Sequence, residues 1–267
     1  MASTEKFILL SHPRSGSTLV TLALQSHSDI RMFGELFHAD IQHRLMAYGW
    51  GIERRPSTQL NPRRTKGWYY TDHQEGDHFL QDLVYGDPSE DRPLATGFKL
   101  FYNHARSERV KSAWDYIRLH EELKIIHLVR ENLLDCFLSI RTAETTAVWE
   151  VEVDEPPSSE PPVLSIAPEE CENYFNSLRL QQRKVASELF SPGRRVLQVE
   201  YERDILGAFD ETLHKIQEFL GVVPEALPQL LRKQATAPTK ARIENYAELR
   251  RRFEKTAFAQ FFEPEGC

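Results

Sequence analysis

Four short β-rich runs, set apart by stretches long enough for helices, constrain this chain more than any other feature. They read FILLS (7–11), GFKLFY (97–102), KIIHLVR (124–130) and RVLQVEY (195–201). Each is dense in aliphatic or aromatic side chains and too short for a typical helix. Helical patterns fall at 17–27, 75–85, 106–122, 132–146, 170–190, 208–220 and 245–258. Strands that alternate with helices need crossover connections, so the expected fold class is α/β. Three layers follow, a central parallel sheet with helices on both faces. With 267 residues, the chain is read as one domain, 1–267, with no internal repeat.

Two segments interrupt that rhythm. Residues 51–67, GIERRPSTQLNPRRTKG, mix four arginines and a lysine with Pro, Gly and Ser. Residues 150–170, EVEVDEPPSSEPPVLSIAPEE, are acidic and hold five prolines. Both are expected to be loop excursions. They either stay solvated or roof a substrate pocket, as long loops of compact domains often do.

The formal charge of −7 argues against general nucleic-acid binding but leaves room for a local basic pocket. Cys136, Cys171 and Cys267 are widely spaced and show neither a CxxC pair nor a Cys/His ligand pattern. A structural zinc site or a disulfide framework is therefore not expected, and Cys136, inside NLLDCFLSI, reads as a buried thiol. The start, MASTEKFILLS, carries only a five-residue apolar stretch. That is short for a signal segment or a membrane span, so the expected location is the cytoplasm.

The first run leads into a loop of unusual chemistry, FILLSHPRSGST. Pro13 cannot continue a ladder, Gly16 lets the backbone approach a ligand closely, and a helix pattern starts at Ser17. A strand, a tight loop and a helix N-terminus bind phosphate-like anions through free backbone N–H groups and the helix dipole. Arg14 adds a charged fork, and Ser15, Ser17 and Thr18 add hydroxyls. The loop is not a nucleoside triphosphatase P-loop, because that pattern needs a lysine after its second glycine. Arg130 closes KIIHLVR and so leaves its strand at the carboxyl edge, where ligands bind in open α/β sheets. Arg14 leaves its own strand at the same edge.

The sequence resembles the PAPS-dependent sulfotransferases, more closely the bacterial trehalose-type and Nod-factor-type branch. PAPS is 3′-phosphoadenosine 5′-phosphosulfate, and PAP is the bisphosphate left after transfer. HPRSGST resembles the family's 5′-phosphosulfate loop, with arginine where many eukaryotic members carry lysine. HLVRENLLDCFLSI (127–140) resembles the 3′-phosphate motif, which implies Arg130 and Ser139 as its phosphate-binding pair. VEYERDI with IQEFLGV (199–205, 216–222) resembles the signature that follows, and the tail from Leu231 resembles the closing region, where Lys233 and Gln234 could touch the nucleotide. The implied fold is P-loop-like, with PAPS as co-substrate and no metal.

An acceptor hydroxyl needs a base. MFGELFH (32–38) offers Glu35, which the resemblance implies as that base, and His38 as the alternative. GFKLFYNHA (97–105) resembles a lysine-bearing segment of the same branch, which makes Lys99 a candidate for neutralising the sulfonate. The expected reaction moves a sulfuryl group in line to a hydroxyl, or to a nitrogen, of a small-molecule or carbohydrate acceptor. A small-molecule kinase and an inactive nucleotide-binding scaffold stay open as alternatives, as does a homodimer.

Overall fold

The computed structural model describes residues 4–39, 76–86, 92–108, 110–154, 161–234 and 237–262. Five strands form one sheet: β1 (Glu5–Ser11), β2 (Ile30–Phe33), β3 (Ala95–Phe101), β4 (Lys124–Val129) and β5 (Val196–Glu200). All pairings are parallel and the order is β2-β3-β1-β4-β5, with β1 at the centre. Helix α1 (Ser17–Gln25) follows β1, and α2 (Gly76–Phe79) runs into a π turn at Leu80–Val84. Helices α3 (Ser112–Leu119), α4 (Leu133–Thr146), α5 (Pro168–Leu189), α6 (Phe209–Leu220) and α7 (Tyr246–Phe253) complete the two outer layers.

Period-two alternation in the central strand feeds two cores. Ile8 and Leu10 point into the core under α2, α3, α4, α5 and α7, while Phe7 and Leu9 point into the core under α1 and α6. All four are fully buried, which contributes about 1.5–3 kcal/mol for each side chain. Gly97 of β3 lies beneath the Phe7 ring, where a Cβ would come within 2.6 Å of it. That small residue lets the ring lie flat on the sheet.

The expected α/β layering is what the chain adopts, with differences at particular elements. The strand IRMF was not foreseen, and it forms the edge beside β3. The helix expected at 106–122 is confined to 112–119, because the chain after β3 turns before entering it. The run RVLQVEY ends as a strand at Glu200 and continues as a π turn over Tyr201–Ile205. In 150–170, Glu152 pairs with Leu231 and Leu164 with Ile243 through isolated bridges, and α5 starts at Pro168 with proline in its first turn. The 51–67 excursion and Cys267 lie outside the described residues. Cys136 and Cys171 are both buried thiols, and burial pushes each up to about 12.

Candidate active site

The carboxyl ends of β1, β2, β3 and β4 converge on one edge of the sheet. Residues 12–16 leave β1 there as a tight loop. Arg14 sits in the left-handed region, at φ 64°, and so does Gly16, at φ 86°. For a non-glycine residue that conformation costs about 1–2 kcal/mol, and the bonds of Arg14 offset it. Gly16 caps α1 without any side-chain hydrogen bond. A Cβ there would lie 2.5 Å from Cε2 of Tyr201, so both space and φ demand glycine.

Helix α4 carries a polar stripe at Asp135, Ser139 and Thr142, the i, i+4, i+7 spacing of one helix face. An arginine docks on each step. Arg130 Nη2 donates to Asp135 Oδ2 at 3.1 Å, Arg14 Nε to Ser139 Oγ at 2.9 Å, and Arg242 Nη2 to Thr142 Oγ1 at 2.8 Å. Arg130 also pairs with Glu202 at 3.6 Å, lies 4.7 Å from the Tyr201 ring centroid and donates to the Arg14 carbonyl at 3.1 Å. Arg242 is buried, and its Nε has no hydrogen-bond partner among the described residues. Arg14 makes two further bonds, to the Trp149 carbonyl at 2.6 Å and to Gln234 Oε1 at 3.2 Å. Burial pulls its guanidinium below the ordinary arginine value, and Glu150 opposes that fall.

These groups line two neighbouring cavities that share Tyr201 and Gln234. The smaller, of about 270 Å³, is walled by Arg130, Asp135, Ser139, Lys233, Thr239 and Arg242, among others. The larger, of about 660 Å³, holds the loop residues Arg14, Gly16, Ser17 and Thr18 together with Glu35, His38, His104 and Trp149. Behind its wall, Lys99 Nζ lies 2.8 Å from Glu35 Oε1 and donates to Thr18 Oγ1 at 3.1 Å. His104 Nε2 lies 3.8 Å from the other oxygen, Glu35 Oε2. The Lys99 and Glu35 side chains are 3% and 10% exposed, so this charge pair is set in a dry wall. The segment 148–153 roofs the loop by pairing with 230–234, through Val153 N to Leu230 O and Arg232 N to Val151 O.

The candidates named from the sequence thus gather around these two cavities, with one change of role. Ser15 turns away from both, and its hydroxyl donates to the His12 carbonyl at 2.7 Å inside the loop. It shapes the loop rather than lining it. Arg14 keeps its place in the loop, and its side chain reaches Ser139 and Gln234 at the junction of the cavities. Lys233 and Gln234 stand in an irregular segment rather than on a helix, and Lys99, although on a strand, is buried. The lining residues not singled out include His104, Arg242, Trp149 and Tyr201. His104 stands inside the quoted GFKLFYNHA and Tyr201 inside VEYERDI, so the signal was present without a spacing rule to pick it out.

Arginine-lined cavities beside a tight loop and a helix N-terminus, at the carboxyl edge of a parallel sheet, form a geometry suited to phosphate-like groups in an α/β protein. The chain belongs to the sulfotransferase family, whose model matches residues 7–225. It is similar to nodulation protein H of Rhizobium tropici, 26% identical over 267 residues that cover 98% of this chain and 95% of the relative. Nodulation protein H of Rhizobium meliloti strain 1021 is 24% identical over 261 residues, 97% and 95% of the two chains. In architecture it is similar to a sulfotransferase from Alicyclobacillus acidocaldarius, with a TM-score of 0.50 at 16% identity over 97% of this chain and 93% of that one. Among the described residues no group of three or more His, Cys, Asp or Glu side chains could hold a metal ion. No described helix is long and apolar enough to cross a membrane.

Proposed function

We propose that this chain transfers a sulfuryl group from PAPS to a hydroxyl of a small-molecule or carbohydrate acceptor, with Glu35 as the base. The observation that carries the reading is the pair of arginine-lined cavities meeting at Tyr201 and Gln234, with a carboxylate in the wall of the larger. The residues fit the nucleotide's chemistry. The smaller cavity has two guanidiniums, Arg130 and Arg242, each with a buried Nε that has no hydrogen-bond partner among the described residues, and that is suited to a phosphate. Arg130, Ser139, Arg242 and Lys233 would hold the 3′ end, and Gly16, Ser17, Thr18 and Arg14 the 5′ end.

PAPS, when bound, supplies an activated sulfuryl group on a phosphate–sulfate anhydride. The chain's own part is to orient and to move one proton. The N-terminus of α1 and Arg14 offer donors to the negative charge that builds on a leaving phosphate. Glu35, facing the larger cavity, accepts the acceptor hydroxyl's proton. Lys99 holds that carboxylate in place, and its ammonium lies near enough to Thr18 to share its charge with the loop.

The test is incubation with PAPS, without magnesium, and a panel of alcohols, sugars and amines, read as an added sulfonate mass. Sulfonated product from at least one hydroxyl acceptor is expected. Phosphorylation with ATP and magnesium in place of sulfonation would overturn the reading.

A further inference from the structure

His12 is fully enclosed between the two loops that carry Arg14 and Arg130. Its Nδ1 lies 2.9 Å from the Pro13 carbonyl, and its Nε2 lies 3.4 Å from the backbone nitrogen of Arg130. A carbonyl only accepts and an amide N–H only donates. Both contacts are therefore met by one species, the neutral ring with its proton on Nδ1. The other tautomer would set two acceptors together at Pro13 and two protons together at Arg130. Burial favours the neutral ring as well, lowering it to about 4.

The Arg130 guanidinium makes a second tie to the loop through the Arg14 carbonyl. That guanidinium, however, is the group an incoming anion recruits. The His12 bridge runs from one backbone to the other and stays in place when the side chain is engaged. We propose that His12 is a positioning residue that fixes the separation between the two anion-binding loops. Through it the chain selects a nucleotide phosphorylated at both ends of its ribose over one phosphorylated at a single end. This rests on the donor reading given above.

The experiment measures the affinities of PAP and adenosine 5′-monophosphate by calorimetry, in wild type and in His12→Phe, His12→Gln and His12→Asn. The quantity of interest is their ratio, the preference for the 3′-phosphate. Loss of one buried hydrogen-bonded bridge should cut that preference about tenfold in His12→Phe while the monophosphate binds as before. Glutamine can place an oxygen where Nε2 stands and should restore the preference; asparagine reaches only the Nδ1 position and should not. An unchanged ratio in His12→Phe, equal weakening of both nucleotides, or identical behaviour of the Gln and Asn variants would overturn the proposal. Should the variants not fold, nitrogen NMR of the wild type decides. PAP, and not the monophosphate, should shift the His12 Nε2 resonance, and an equal response to both overturns it. A wild type that binds the two nucleotides equally overturns the donor reading itself, which is a separate result.

Discussion

In the larger cavity the residue at the centre is an anion: Glu35 is gripped by Lys99 on one oxygen and approached by His104 on the other. In the smaller the central residue is a cation: Arg130 is gripped by Asp135 and approached by Glu202. The first arrangement holds its carboxylate in the cavity wall with a fixed orientation, which suits a group that must accept a proton and stay put. The second must loosen its internal carboxylates before a phosphate can share the guanidinium. On the proposed reading, one wall is preorganised and the other would bind by exchange.

The sharpest way to break the comparison is Glu35→Gln, which keeps shape and removes basicity. Turnover is expected to fall by about a hundred- to ten-thousand-fold, with PAP affinity at the wild-type value in calorimetry. An active Glu35→Gln alongside an inactive His38→Asn would make His38 the base instead. Arg130→Ala attacks the exchanging site instead. It should cost PAP about 2–5 kcal/mol of binding, as removal of one member of a buried charged pair does, and leave adenosine 5′-monophosphate unaffected. Equal losses for both nucleotides would detach Arg130 from the 3′ end.

Acid should act on two buried histidines, His12 of the loop and His127 of β4. Burial holds His12 and His127 down to about 4, against 6.5 for an unfolded histidine. Because their folded values are depressed, the unfolded chain takes up more protons between those two values. Stability is then complete above about 6.5 and declines as pH falls toward 4. At pH 5.5 each histidine should cost about 1 kcal/mol by this linkage, measured as a loss in urea midpoint between pH 7.5 and 5.5. A flat profile over that range would show that the rings are not held neutral. The smallest change expected comes from Glu202→Gln, which weakens one of the carboxylates competing for Arg130. PAP should bind about two- to fivefold tighter, the scale of a partly exposed ion pair. Weaker binding would show that Glu202 orients Arg130 rather than competing with an anion.

Much of this arrangement was legible before any coordinates. β1, β3, β4 and β5 declare themselves because buried parallel strands are nearly continuous apolar runs. β2 does not, since four residues with an arginine among them, IRMF, carry too little pattern. Lys99 was read as a strand residue, but its partner could not be, because Glu35 arrives from the far side of α1 and β2. Arg14 was visible as a cation in a tight loop. Its destination depends on Ser139, Trp149 and Gln234, which come from three other parts of the chain. Arg242 was hidden in a tail rich in charges, where only the docking on Thr142 sets it apart. Sequence periodicity fixes which residues share a face of one element. It carries no information about where loops from different elements meet.

The central position of β1 also sets the timetable by which the protein can be made. Glu5 pairs with Ala95 on one side, and Phe7 pairs with Lys124 on the other. The strand leaves the ribosome before both of its neighbours, which follow roughly 90 and 117 residues later by that register. Until both have emerged, FILL is an apolar β-forming segment with two unpaired edges, the kind of segment that seeks other chains. Synthesis therefore passes through a long interval in which the future site does not exist and its founding strand is an aggregation hazard. Chaperone dependence of the soluble yield should track that interval. It should lessen when residues 7–10 are made less apolar, even where the finished fold is weakened by the same change.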